Sequence, residues 1–222
     1  MLIQQRYDYK PLERFSTEHG RRYIVGETRP LPSVTTILSA TKDMTHLNEW
    51  RDRVGSAEAT RIVTEAAKLG GGMHTNLENY ILDKPMSGTF MDRALANVII
   101  KHGLCNVSEV WGIEVALYST ELFAGTTDLV GCHNGIPSIM DFKNSLREKK
   151  REWIDDYAAQ LAAYSLAHNE MYGTNIQRGV IMIATRDATY QEFVFEGREF
   201  DRAVNLWLEA LDKYYKLPGS DN

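Results

Sequence analysis

Two cysteines in 222 residues, Cys105 and Cys132, are too few for a disulfide framework, a four-cysteine zinc site or an iron–sulfur cluster. They read most simply as reduced core residues. No apolar run approaches the roughly 20 residues that a membrane span needs, because the longest, such as Gly179 to Thr185, are strand-sized. The first ten residues lack a signal core, and the early Asp8 and Glu13 are unlike an acid-poor transit peptide. The expectation is a protein of the bacterial cytoplasm with no membrane partner. There is no excess of positive charge either: 25 basic against 30 acidic residues give a net −5. This argues against binding a polyanion by bulk charge alone, and any such site must be local. No repeat, low-complexity tract or Pro/Ser-rich linker divides the chain, and 43% hydrophobic residues suffice for a sizeable core. One domain spanning 1–222 is the economical reading.

What is present has a clear order. Ile3 to Tyr9 and Arg21 to Val25 lean towards strand, with a turn at Glu18-His19-Gly20, which predicts an N-terminal hairpin within 1–30. Ser33 is placed to cap a short helix through Leu38. Leu47, Trp50, Val54 and Ala57 fall at helical spacing in a helix from about Thr45 to Leu69. Gly70-Gly71-Gly72 is expected to interrupt that helix, with new ones at Met73–Leu82 and Met91–His102. Three antiparallel strands follow at Val110–Tyr118, Leu122–Gly131 and Ile136–Phe142, the last two joined near Asn134-Gly135. A helix at Trp153–Met171, strands at Gly179–Thr185 and Tyr190–Phe195, and a helix at Arg198–Tyr215 complete an α/β pattern.

Chemistry concentrates between Gly125 and Ser145. Strand alternation puts Asp141 and Lys143 on one side of the sheet, and the turn folds Asp128 back beside them. Two converging carboxylates repel unless a cation sits between them, and a hard divalent ion suits oxygen ligands. The Asp-x-Lys triplet alone also fits a surface ion pair, so its context decides. Gln160 and Tyr164 lie one turn apart on the following helix and face the strand end that bears Asp141.

Asp128, a hairpin-length gap, Asp141-Phe142-Lys143 and then Gln160-Leu161-Ala162-Ala163-Tyr164 together resemble the PD-(D/E)XK nuclease superfamily, in its RecB-like branch. Gly72-Met73-His74 with Glu78 resembles the His-bearing helix of that branch. Pro32-Ser33-Val34-Thr35-Thr36-Ile37-Leu38, Glu49-Trp50-Arg51 and the closing Trp207-Leu208 to Tyr214 helix narrow the likeness to the mitochondrial genome maintenance exonuclease family. The similarity runs from about Pro30 to Lys216. The chain lacks the N-terminal extension of the mitochondrial members, pointing to a bacterial or phage version, and it lacks the cysteines of iron–sulfur-bearing RecB-like branches.

The resemblance implies a mixed central sheet flanked by helices, with a helical region and arch in 31–105 and a catalytic core in 106–222. It implies His74, Asp128, Asp141 and the backbone carbonyl of Phe142 as ligands for one or two Mg²⁺ or Mn²⁺ ions, and Lys143 as the catalytic lysine beside Gln160 and Tyr164. Glu114 matches an acidic position of the family that supports the ligands or serves a second ion; it reads equally as an outward strand carboxylate. The family degrades single-stranded DNA from free ends threaded beneath an arch, which here would fall within Thr41 to Leu69. Candidate DNA contacts are Ser33, Lys42, Trp50, Arg51, Arg147, Lys149 and Lys150. The expected protein is a monomeric exonuclease working alongside replication, recombination or repair proteins. The alternatives are a structure-specific or restriction-type endonuclease and a catalytically silent DNA-binding or recombination subunit.

Overall fold

The computed structural model describes residues 3–27 and 29–219; the other positions of the expected 1–222 domain lie outside the described residues. Strands β1 (Arg14–Thr17), β2 (Gly20–Tyr23) and β3 (Leu31–Pro32) form a small antiparallel sheet. Helices α1 (Val34–Thr41), α2 (Thr45–Val54), α3 (Ser56–Ile81) and α4 (Phe90–His102) precede strands β4 (Val107–Ser119), β5 (Phe123–His133) and β6 (Ile136–Ser145). Helix α5 (Asp155–Tyr172) crosses over to β7 (Arg178–Thr185), which is followed by β8 (Tyr190–Glu196) and α6 (Arg198–Tyr215). The main sheet keeps the order β4-β5-β6-β7-β8, antiparallel throughout except for the parallel β6/β7 pair that the α5 crossover makes possible. The fold is therefore mixed α/β, a five-stranded sheet flanked by helices with an N-terminal hairpin sheet. No described helix is long and apolar enough to cross a membrane.

Alternation along β7 sorts the core into two layers. Ile181 and Ile183 join Leu161, Tyr164 and Trp207 under α5 and α6, while Val180 and Met182 join Leu77, Leu95 and Ile99 under α3 and α4. A strand buried on both faces reads as a continuous apolar run, which is why Gly179 to Thr185 is so legible. The β5–β6 turn is equally legible: Asn134 and Gly135 both have positive φ, 50° and 76°, as a tight two-residue hairpin demands.

Three expectations are corrected. The N-terminal hairpin forms from Arg14–Thr17 and Gly20–Tyr23, not from Ile3–Tyr9. Ile3 instead bridges Val110, and the Tyr7 and Tyr9 rings pack against His168 and Tyr172. A Cβ on Gly112 would stand 2.6 Å from the Tyr9 ring, so β4 is shaped to receive it. Cys105 is exposed; only Cys132 is a core residue.

The third correction concerns helices. The chain breaks at Gly55 (φ 84°), which splits the expected Thr45–Leu69 helix, and then runs unbroken through Gly70-Gly71-Gly72 as the 26-residue α3. Glycine loses helix propensity but permits close approach, and here approach wins. A Cβ on Gly72 would lie 2.3 Å from the Asp92 carboxyl carbon, and one on Gly70 would lie 3.0 Å from Asn144 Oδ1. Asp92 is fixed because its Oδ2 accepts from the Thr89 N–H at 2.7 Å within a capping box. Gly71 has open space around it. Gly71→Ala should therefore raise unfolding free energy by about 0.5–1 kcal/mol, whereas Gly72→Ala should lower it by about 1–3 kcal/mol through overpacking. Urea titration of the two variants checks this, and equal shifts would contradict it.

Candidate active site

The C-terminal half of α3, the facing strands β4 to β6, the N-terminal hairpin and α5 enclose a recess of about 460 Å³. Ile113 pairs with Leu129 and Val115 with Thr127, so Glu114 faces Asp128 across the ladder. Leu129 pairs with Met140, and continuing that register by one brings Asp141 beside Asp128. Three carboxylates thus form a row across three strands. Like charges set opposite each other in a sheet are destabilising, and such a row calls for a cation.

The backbone is bent to make this row. Glu114 adopts φ 49°, a left-handed conformation that a non-glycine residue seldom takes inside a strand. Ile113 packs in the layer under α3 and α4, while Val115 packs under α5 and α6, so β4 changes face at Glu114. β5 does the same around Asp128, with Leu129 in one layer and Phe123 in the other. Helix α3 adds His74, whose Nδ1 lies 3.4 Å from Asp128 Oδ1. The remaining Asp128 oxygen accepts from the Phe142 N–H at 2.7 Å. His74, Glu114 and Asp128 each offer one ligand atom, all within 4.8 Å of one another. One imidazole nitrogen and two carboxylate oxygens suit a divalent cation, so these residues fit the expected metal.

Asp141 is 1% exposed. Its Oδ1 accepts from Gln160 Nε2 at 3.2 Å, and its Oδ2 forms an ion pair with Lys143. Its carboxylate stands beside the close-set triad rather than in it, and Glu114 takes the third place. The Lys143 ammonium also faces the Tyr157 ring at 5.2 Å. Burial pushes the Asp141 carboxyl up, against the pull of Lys143 and with the push of Asp128, to about 6. Burial also raises Glu114, aided by Asp128. Burial would lower His74, yet Asp128 overrides it and carries the imidazole up to about 9. The same pairing holds Asp128 below the usual carboxylate range despite its own desolvation, and Asp141 and Asp128 hold Lys143 up despite burial.

Ser33, His74, Glu114, Asp128, Asp141, Lys143, Gln160 and Tyr164 all line this recess. Phe142 enters through its backbone N–H. Ser33 is buried as the α1 N-cap, accepting from the Thr36 N–H at 3.0 Å. Gly125 leaves room for the Tyr164 ring, which a Cβ would meet at 2.7 Å. The structure does not bring the other candidate contacts to the recess. Lys42 pairs with Asp156 at 2.7 Å, Trp50 and Arg51 lie on α2, and Arg147, Lys149 and Lys150 follow β6, with the Lys150 ammonium 5.2 Å from the Trp153 ring centre. Sequence reasoning missed Arg14, Arg21, Tyr23 and Asn144 in the lining, and Tyr157 behind Lys143. Only Tyr157 carried a signal, lying three residues before Gln160 on the same helix face.

The chain matches no protein-family model, and no curated protein sequence matches it. Among solved structures it is similar to a candidate exonuclease from Eubacterium rectale, at 14% identity and a TM-score of 0.48 over 67% of this chain. The match covers 64% of that protein, so this chain spans less than two thirds of its length. It is also similar to a protein called SSO0001, at 15% identity and a TM-score of 0.45, over 87% of this chain and 80% of that one. Neither likeness bears on the chemistry of the recess, which is read from its own residues.

Proposed function

We propose that this chain is a divalent-metal-dependent nuclease of the PD-(D/E)XK, RecB-like kind, a single nuclease domain that hydrolyses single-stranded DNA from free ends. The observation that carries the reading is the row of Glu114, held at a left-handed φ, Asp128 and Asp141, with His74 beside Asp128 and Lys143 beside Asp141. A structural ion pair has no need of three facing carboxylates, and a passive binding surface would repel phosphate with them. His74, Asp128 and Glu114 would hold Mg²⁺ or Mn²⁺, with Asp141 and the Phe142 carbonyl as further ligands. A bound ion of this kind polarises phosphoryl oxygen and lowers the pKa of water.

The chain's own groups divide the remaining work. Lys143, held charged by Asp141, is placed to orient an attacking water and to offset charge developing on a phosphoryl oxygen. Gln160 fixes the Asp141 carboxylate by donating to Oδ1. Tyr157 backs the ammonium with its ring face.

Free ends enter the reading through α2 and the first half of α3. No described side chain of α2 is buried, and Ala59 is the one buried position between Ser56 and Leu69. A helix pair so little packed has the character of an arch over a strand. Linear single-stranded DNA should be degraded with Mg²⁺ or Mn²⁺ and spared with a chelator, while closed single-stranded circles and blunt duplexes should resist. Efficient cutting of circles by the pure protein would replace the exonuclease reading with an endonuclease, and no cutting of any form would remove the nuclease reading.

A further inference from the structure

We infer that Arg14 and Arg21 of the N-terminal hairpin form a phosphate-binding subsite that grips the nucleic acid strand next to the metal cluster, an inference that rests on the nuclease reading. In the β1/β2 ladder Arg14 pairs with Tyr23 and Ser16 with Arg21, so Arg14, Ser16, Arg21 and Tyr23 share one face. That face looks into the recess, because Arg14, Arg21 and Tyr23 all line it and the Tyr23 hydroxyl meets Thr126 Oγ1 at 3.1 Å, two residues before Asp128.

The two arginines bring unpaired cations to the lining of the recess. Several arginines of the fold are tied down, Arg61 to Glu58, Arg151 to Glu199, Arg178 to Glu196 and Arg202 to Asp155; of those that are not, such as Arg51, Arg53, Arg147 and Arg198, none lines the recess. Among the described residues, neither the Arg14 nor the Arg21 guanidinium has a hydrogen bond or ion pair. Arg14 is nonetheless near enough for its charge to act on Glu114. The Arg21 backbone is held rigidly, its N–H donating to Thr36 Oγ1 at 3.0 Å and its carbonyl accepting from the Ser33 N–H at 2.9 Å. Diagonal positions on a two-stranded ladder lie about 7–8 Å apart, so the pair presents two separate forks on a fixed platform. Planar forks with free donors suit phosphate oxygens, and a strand whose scissile phosphate sits at the carboxylate row needs cations on its flanking phosphates.

The test is equilibrium binding of a fluorescein-labelled oligothymidylate across a salt series, in the Asp141→Asn background with Mn²⁺ present. Arg14→Gln with Arg21→Gln should weaken binding by about tenfold or more and flatten the log–log salt slope by about 1.4, at about 0.7 per lost contact to a single strand. Arg14→Lys with Arg21→Lys should keep most of the slope while binding more loosely, which also guards against a misfolded hairpin. Lys101→Gln with Arg198→Gln removes equal charge elsewhere and should leave the slope unchanged. Calorimetric Mn²⁺ affinity should not fall in any of them. An unchanged slope in the Gln pair, where the parent protein binds strands and the wild type cleaves them, overturns the subsite alone, as does a parallel loss of Mn²⁺ affinity. Absence of cleavage by the wild type removes the nuclease reading and the subsite with it.

Discussion

On the proposed reading, Asp141→Asn is expected to reduce strand cleavage by about 10³-fold or more in kcat while single-strand binding stays within a few-fold, because one charge is lost at the carboxylate row and none from α2 or the outer half of α3. The variant should fold: an asparagine can still meet Gln160, and Lys143, 23% exposed, retains access to water. Lys143→Ala should lose activity to a similar degree but also destabilise the protein. It strands a buried carboxylate, at a cost of about 3–5 kcal/mol. The double variant Asp141→Asn, Lys143→Met should recover that stability and remain inactive. Single-turnover cleavage and urea denaturation read the two effects separately. Wild-type turnover in Asp141→Asn would remove Asp141 from the chemistry.

Acid should weaken the anchor of the N-terminal segment by an amount set by His168. Its side chain is fully buried, and the Thr174 hydroxyl donates to Asn169 Oδ1, so it accepts from His168 Nδ1 at 2.8 Å while Nε2 accepts from the Tyr9 hydroxyl at 2.9 Å. This fixes a neutral imidazole protonated at Nδ1. Tyr7, Tyr9 and Tyr172 surround the ring and offer no carboxylate to welcome a second proton. Burial accordingly lowers His168 to about 4. The unfolded chain binds that proton near pH 6.5 and the folded one does not, so stability contributed above pH 6.5 is lost as pH falls towards 4. The full loss is on the order of 3 kcal/mol. Asp141, held up near 6, titrates in the same window with the opposite sign, and His74 acts between 6.5 and 9. The informative quantity is thus the difference between wild type and His168→Gln, in metal-free protein, between pH 7 and pH 5. Parallel profiles for the two would show that His168 is not held neutral.

Much of this architecture is legible in the chain because burial writes itself into apolar periodicity. β7 and the Asn134-Gly135 turn are examples, and so is the convergence of Asp128, Asp141, Lys143, Gln160 and Tyr164, which strand alternation and one helical turn suffice to foresee. What was hidden depends on distant partners. Ile3 to Tyr9 is apolar enough to be a strand, but its tyrosines are complementary to His168 and Tyr172, far along the chain. Arg14–Thr17 is exposed throughout and offers no alternation to detect. The glycine run signals a break by propensity, whereas Asp92 and Asn144, neither adjacent in sequence, explain its place inside a helix. Glu114 stands out from other strand carboxylates only through the family likeness, since a left-handed φ leaves no mark on residue identity.

Continuity of α3 through its glycines makes a lever of it. Ser56 to His74 spans about 27 Å at 1.5 Å per residue, with the exposed end at one extreme and the imidazole near the other. Its fulcrum is visible: Glu65 pairs with Arg186 at 2.9 Å, and the Ala66 carbonyl accepts from Asn144 Nδ2 at 3.2 Å, one residue beyond Lys143 on the same strand. A helix broken at Gly70 would let the outer half swing without consequence for the inner one. An unbroken rod does not, so any tilt of the outer half would carry through to His74 and its 3.4 Å contact with Asp128, a mechanical link between the exposed end of the helix and the recess.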